Sequence, residues 1–169
     1  MATPTRRELR ETVFALLFET DFHKEKSAAD VLALAKEERE IVEHEYIDTT
    51  FLGATEKMAV LDVMIGRFSK DWKVSRLSHV SRAVLRLGTY ELLYSDLPVQ
   101  IALNEAIVIA KKFDDPKARP FVNGVLNGIK NEIEDKGKDA CIAIYEQAAA
   151  QAVAPAVEAV PEDSANADA

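Results

Sequence analysis

From Ser78 to Phe113 the large apolar side chains return every three or four residues. Val80, Ala83, Val84, Leu87, Tyr90 and Tyr94 form one run, and Ile101, Ala102, Ala106, Ile109 and Phe113 the next. That period suits a helix burying one face and is incompatible with a half-buried strand. The same spacing recurs upstream in Leu9, Val13, Leu16 and Leu17, and in Val60, Leu61, Met64, Ile65 and Phe68. No stretch alternates with period two between hairpin turn signals. A chain of 169 residues is long enough for one hydrophobic core, so the expectation is an all-α fold, a bundle of about seven helices.

Punctuation along the chain divides the helices. The first runs from Thr5 to about Phe22, and Ser27 with Asp30 three residues on resembles a capped start of a short second one. Further helices are expected over Glu37–Ala54 and Glu56–Phe68, with Gly53 as the stop between them. Ser78 is a good N-cap, Pro98 opens the next segment, and Asp114-Asp115-Pro116 ends it. A last helix starts with Pro120 near its first turn and carries Phe121, Val122, Val125, Leu126, Ile129 and Ile133 to about Asp135. Gly124 and Gly128, four apart, form a strip where another helix could approach closely. The helical domain is expected to span residues 1–137. Residues 138–169 read as a short helix from Lys138 to Gln147, then a disordered acidic tail over 150–169, rich in Ala and Pro.

Composition removes several function classes. One cysteine, Cys141, makes no internal disulfide and no zinc site, and no secretory leader or span of ~18 to 20 apolar residues is visible, so a cytoplasmic protein is expected. The three histidines, His23, His44 and His79, are far apart and lack metal-ligand spacing. There is no phosphate-cradling glycine loop, and no nucleophile with a neighbouring base. Neither catalysis nor a cofactor or metal is expected.

The net charge of −8 argues against a uniformly nucleic-acid-coated protein, but the charge is unevenly placed. Arg6, Arg7 and Arg10 lie at spacings of three and four at the start of the first helix, sharing a face where the macrodipole already favours an anion. From spacing alone, a phosphate site and a solvated helix end paired to Glu8 and Glu11 are equally good readings. Lys111, Lys112, Lys117 and Arg119 flank Phe113 and precede Phe121, a mixture of cations and rings suited to unpaired bases. Phe113 continues the buried period and is expected in the core; Phe121, and Phe68 beside Arg67 and Lys70, stand at helix ends where a ring can stay exposed. Asn104, Glu105 and Asn123 read as paired polar residues inside apolar helices, with Arg82 or Arg86 as partners.

The block His79-Val-Ser-Arg-Ala-Val-Leu-Arg-Leu-Gly-Thr-Tyr-Glu-Leu93, then Leu97-Pro-Val-Gln-Ile-Ala-Leu-Asn-Glu-Ala106, Ala110-Lys-Lys-Phe113 and Phe121-Val-Asn-Gly-Val-Leu126 resemble the C-terminal half of the NusB family, and the Arg-rich start matches it as well. The resemblance covers about Thr5 to Asp135. It implies two small helical sub-bundles, no catalysis, and transcription antitermination. The implied partners are boxA RNA of nascent ribosomal RNA transcripts, the small-subunit ribosomal protein NusE, and an elongation complex with other Nus factors. Carried over by position, the RNA surface comprises Arg6, Arg7, Arg10, Phe68, Lys117 and Phe121. The partner surface lies on the helices of the C-terminal half, and the free protein is either a monomer or a homodimer. Glu8 departs from the family, which often has another Arg there. A related helical domain precedes ribosomal RNA cytosine methyltransferases, but no Rossmann pattern or catalytic Cys motif occurs here. The alternative is a protein-only scaffold or homodimeric adaptor in which the arginines touch no RNA.

Overall fold

The computed structural model describes residues 2–70 and 72–158, with side chains described through residue 152. Eight α-helices and one short 3-10 turn, Val74–Arg76, follow in order: α1 Arg6–Thr20, α2 Ala28–Arg39, α3 Glu45–Glu56, α4 Met58–Phe68, α5 His79–Tyr94, α6 Val99–Phe113, α7 Arg119–Lys136 and α8 Lys138–Glu158. There is no strand among the described residues, and no described helix is long and apolar enough to cross a membrane. Helices α1 to α3 form one sub-bundle and α4 to α8 the other; α5 lies between them, packed on α1 and α3 on one side and α4, α6 and α7 on the other. Its central place follows from composition, because Ala83, Val84, Leu85, Leu87, Leu92 and Leu93 are all buried and Gly88 lets α6 and α7 come close. A Cβ at Gly88 would stand 2.9 Å from both Ala106 Cβ and Leu126 Cδ2.

Local signals place most helix ends as expected. Ser27 Oγ accepts from Asp30 N and Ser78 Oγ from Ser81 N, each satisfying an orphan donor of a first turn. Gly137, at φ +91°, ends α7, where its N–H reaches Ile133 O.

Three boundaries differ from the expectation. Residues 37–39 finish α2 rather than starting α3, and Glu40 leaves that helix with left-handed backbone at φ 49°. Gly53 lies within α3 and the break comes at Lys57. The glycine serves packing there, since a Cβ on it would stand on the Tyr90 hydroxyl. Helix α8 runs beyond Gln147 to Glu158, overlapping residues assigned to the disordered tail. It also belongs to the same core as the first 137 residues, burying Cys141, Tyr145 and Ala149. The rest of the acidic tail, 159–169, lies outside the described residues.

An ionic network ties the end of α1 to α4 and α5. The Asp21 carboxylate accepts from Arg82 Nε at 3.1 Å and Arg86 Nη1 at 3.0 Å, while Arg86 also forks onto Asp62 at 2.9 and 2.8 Å. Asp21 caps the C-terminus of α1, where the helix dipole disfavours an anion, so the two arginines and His79 are what hold it there. Burial pushes the Asp21 pKa up, but the hydrogen bond to His79 and the charges of Arg86 and Arg82 outweigh it and leave the carboxyl below its ordinary 3.8. Glu132 behaves alike: burial opposes ionisation, and hydrogen bonds from Tyr145 and Lys136 bring the net shift downward. A depressed folded pKa contributes stability that is present above the unfolded value and lost as pH falls through the folded one. Melting temperature should therefore drop as pH is taken below about 4, and Asp21→Asn should flatten that drop while lowering stability at neutral pH. An unchanged acid limb in the variant would contradict this assignment.

Candidate nucleic-acid interface

The three N-terminal arginines do not form one patch. Arg6 is exposed and lays its guanidinium over the Tyr46 ring, 4.6 Å from the centroid. Arg7 points to the other side, donating from Nε to Glu105 Oε2 at 3.1 Å, with 61% of its side chain still exposed. Arg10, expected on the RNA surface, is 2% exposed. It forks onto Glu91 from Nε at 2.6 Å and Nη2 at 3.3 Å, and Nη1 reaches Glu105 Oε2 at 3.2 Å. The Tyr46 hydroxyl donates to the same Glu91 at 3.0 Å. Burial works against the Arg10 charge, but the Glu91 hydrogen bond and charge raise its pKa overall. A guanidinium so enclosed cannot meet a phosphate. It is the ionic joint of α1, α3, α5 and α6. Its i,i+4 spacing from Arg6 was correct, yet spacing does not say which face is turned inward.

Glu8, the departure from an all-basic start, has a local task. Its N–H donates to Thr5 Oγ1 at 3.2 Å and its Oε2 accepts from Thr5 N at 2.7 Å, a capping box that starts α1. Neither Glu8 nor Glu11 is the arginines' partner. Glu11 instead accepts from Lys112 Nζ at 2.7 Å, joining α1 to the end of α6.

Beside that bridge Phe113 is 41% exposed, not buried as its period suggested. One face stacks on Phe14, with centroids 4.9 Å apart, and Lys112 Nζ lies 5.3 Å from the ring centroid. The last turn of α6 has run past the core, so the periodic position emerges at the surface. Lys111 and Lys117 are exposed in the same region. The loop bearing Lys117 is held by Asp115 Oδ1, which accepts the Lys117 N–H at 2.8 Å, and by Asp114, whose Oδ2 accepts from Ser81 Oγ at 2.8 Å.

Phe68 and Phe121, both half-buried, line one cavity together with Trp72, Pro120 and Gly124. Phe68 seats its ring on Gly128, where a Cβ would be 2.5 Å from Cδ1, so Gly128 admits the end of α4 against α7. At Gly124 a Cβ would meet nothing within 4 Å, so the two glycines are not one helix-contact strip. Trp72 was missed by the sequence reading. It is 57% exposed in the segment where the helical pattern breaks, and its signal was a tryptophan placed between Lys70 and Lys73 with no apolar period to absorb it. Arg6, Arg7, Lys117, Phe68 and Phe121 therefore remain accessible or partly so, on the α1 side and on the α4 and α7 side respectively.

The three polar residues read as buried and paired to Arg82 or Arg86 are each placed differently. Glu105 pairs with Arg7 and Arg10, Asn104 is exposed and accepts from Gln100, and Asn123 leaves its Oδ1 buried without a partner. Arg82 and Arg86 are taken by Asp21 and Asp62. Among the described residues no group of three or more His, Cys, Asp or Glu side chains could hold a metal ion.

Two helical sub-bundles locked by an internal arginine, with exposed cations on α1 and before α7 and half-buried rings at the junction of α4 and α7, define an all-helical protein that offers contact surfaces. Comparison with known proteins gives that class a family. The NusB family model matches residues 7–131, most of the chain. The transcription antitermination protein NusB of Natranaerobius thermophilus is 37% identical over 134 residues, covering 76% of this chain and 96% of the relative. A solved structure of T. maritima NusB superposes with a TM-score of 0.65 at 34% identity, over 78% of this chain and 94% of that one. A crystal structure of the antitermination factors NusB and NusE in complex with dsRNA gives 0.66 at 27% identity, over 75% and 96%. The chain belongs to the NusB family.

Proposed function

We propose that this protein is a non-catalytic transcription antitermination factor that binds boxA-type single-stranded RNA of nascent ribosomal RNA transcripts together with the ribosomal protein NusE, supporting processive transcription by RNA polymerase alongside other Nus factors. The observation that carries the reading is that, in a chain of net charge −8, Arg6, Arg7 and Lys117 stay exposed and the rings of Phe68 and Phe121 stay partly exposed at helix ends. In an acidic protein, exposed guanidinium and ammonium groups suit a backbone that must be neutralised, and accessible rings suit bases that can stack. The solved complex of relatives with NusE and RNA supports both partners. NusE is assigned to the helices of the C-terminal half, and the free protein is a monomer or a homodimer that exchanges with the complex. Arg10 contributes by holding α1, and so Arg6 and Arg7, in place.

The test is titration of labelled boxA-type RNA, a scrambled strand and a duplex of the same sequence, with and without NusE. Selective, NusE-enhanced binding that weakens with salt by roughly 0.7 in log affinity per log salt for each phosphate contact is expected. Arg7→Glu, on a side chain 61% exposed, should weaken binding with only a small fall in melting temperature, because the exposed bridge to Glu105 that it breaks contributes about 0–1 kcal/mol. Equal, negligible binding to every RNA, or a salt-independent response, would leave a protein-only scaffold instead.

A further inference from the structure

We infer that Trp72, Phe121 and the bare backbone at Gly124 form a slot for one unstacked nucleobase of the bound RNA, with Trp72 as the residue that closes it. The inference rests on the RNA-binding reading above and assigns to it a residue and a subsite.

The slot is a cavity of about 350 Å³ between the end of α4 and the start of α7, near the lower limit of the roughly 300–1,000 Å³ of ligand clefts. It suits a planar heterocycle better than a large ligand. Phe68, Trp72 and Phe121 all line it, yet among the described residues none of these rings pairs with another. Elsewhere in the protein, exposed rings find partners: Phe113 stacks on the buried Phe14, and Phe22 meets His79 at 4.4 Å. Here three rings border an empty volume without pairing with one another. Gly124 keeps the floor flat, because any larger residue would project into the space it leaves.

The position of Trp72 is prepared rather than loose. Ser69, 1% exposed, donates from Oγ to Trp72 O at 2.8 Å, and its own carbonyl accepts the Trp72 N–H at 3.0 Å. Between them Lys70 takes left-handed backbone at φ 46°, which turns the chain back after α4 toward α7. A pinned backbone bearing a 57% exposed indole lowers the ordering cost of stacking. The charge near the slot favours an anionic ligand: Lys70 and Lys73 are exposed on either side of Asp71 and Trp72 in sequence, leaving that stretch net positive despite Asp71, and Lys117 is exposed in the loop that leads into α7. Cations around unpaired rings suit a base with its phosphates better than an apolar side chain of a protein.

Trp72 is the chain's only tryptophan, so its fluorescence reports the slot directly. Single-stranded boxA-type RNA should quench it with the same midpoint as the anisotropy of the labelled strand. Trp72→Ala should weaken RNA binding roughly 5- to 150-fold, the range that loss of one stacked base implies. Gly124→Leu, which fills the floor at a helical position with open space, should weaken binding comparably while melting temperature holds. RNA binding with an unquenched Trp72, or with both variants binding as wild type, would overturn the slot and leave the RNA reading standing. Absence of RNA binding under every condition would overturn both. Quenching by NusE alone, with no RNA effect, would assign the slot to a protein partner and overturn it as well.

Discussion

Arg10→Ala is expected to destabilise the protein by about 3–5 kcal/mol, the usual consequence of removing one partner of a buried ion pair. The substitution strands Glu91, itself 2% exposed, with only the Tyr46 hydroxyl left as a described donor. It also removes one of the two arginines on Glu105. In a chain of this size each kcal/mol shifts the melting temperature by roughly 2–4 °C, so a fall on the order of 10 °C is expected by thermal denaturation. Arg10→Ala with Glu91→Ala should cost well below the sum of the two single changes, because the second removes the charge the first orphaned. Strict additivity would show that the joint is not coupled as the geometry requires. RNA affinity, measured well below the melting transition, should fall less for Arg10→Ala than for Arg7→Glu, since the guanidinium of Arg10 faces inward. The opposite order would return Arg10 to the RNA surface.

Removing α8 by ending the chain after Gly137 should be comparably damaging, although the family model matches only as far as residue 131. Helix α8 packs on α4, α5 and α7, and it buries Tyr145 to 2%, Cys141 to 0% and Ala149 to 6%. Re-exposing the surfaces beneath these side chains costs on the order of 4 kcal/mol. Polar contacts add to the loss. Lys138 Nζ donates to Ser95 O at 2.9 Å and Leu97 O at 3.0 Å, and the Tyr145 hydroxyl donates to Glu132 at 2.6 Å. Tyr145→Phe tests the last contact alone; it withdraws the donor from a buried carboxylate and should cost about 1–3 kcal/mol. A truncated protein that melts with the full chain would make α8 an appendage rather than part of the domain.

How far the sequence reaches can be judged residue by residue. Helix type and most caps were legible, because an apolar period and a Ser at the N-cap act within a turn or two of chain; Ser27 and Ser78 behave as their neighbours dictate. Gly53 was misread as a stop because its role is set by Tyr90, a residue distant in sequence. Phe113 was misread as core because periodicity carries no information on where the core ends. Of the candidate surface, Arg6, Arg7, Phe68, Lys117 and Phe121 were nameable from the resemblance. Trp72 was open to view as an isolated tryptophan between lysines, but only the return of the chain after Lys70 sets it beside Phe121.

What the sequence by itself determined is therefore local and compositional: an all-helical chain, the positions of its caps, an acidic total with a basic start, and the blocks that mark the NusB family. What only the tertiary structure decided is which of those charges face water. Three arginines at helical spacing are equivalent until Tyr46, Glu91 and Glu105 arrive from α3, α5 and α6. These leave Arg6 stacked, Arg7 exposed and Arg10 enclosed. The reason is physical: helix formation depends on neighbours a few residues away, whereas desolvation of a charge depends on everything packed around it, and here those partners lie 81 and 95 residues along the chain.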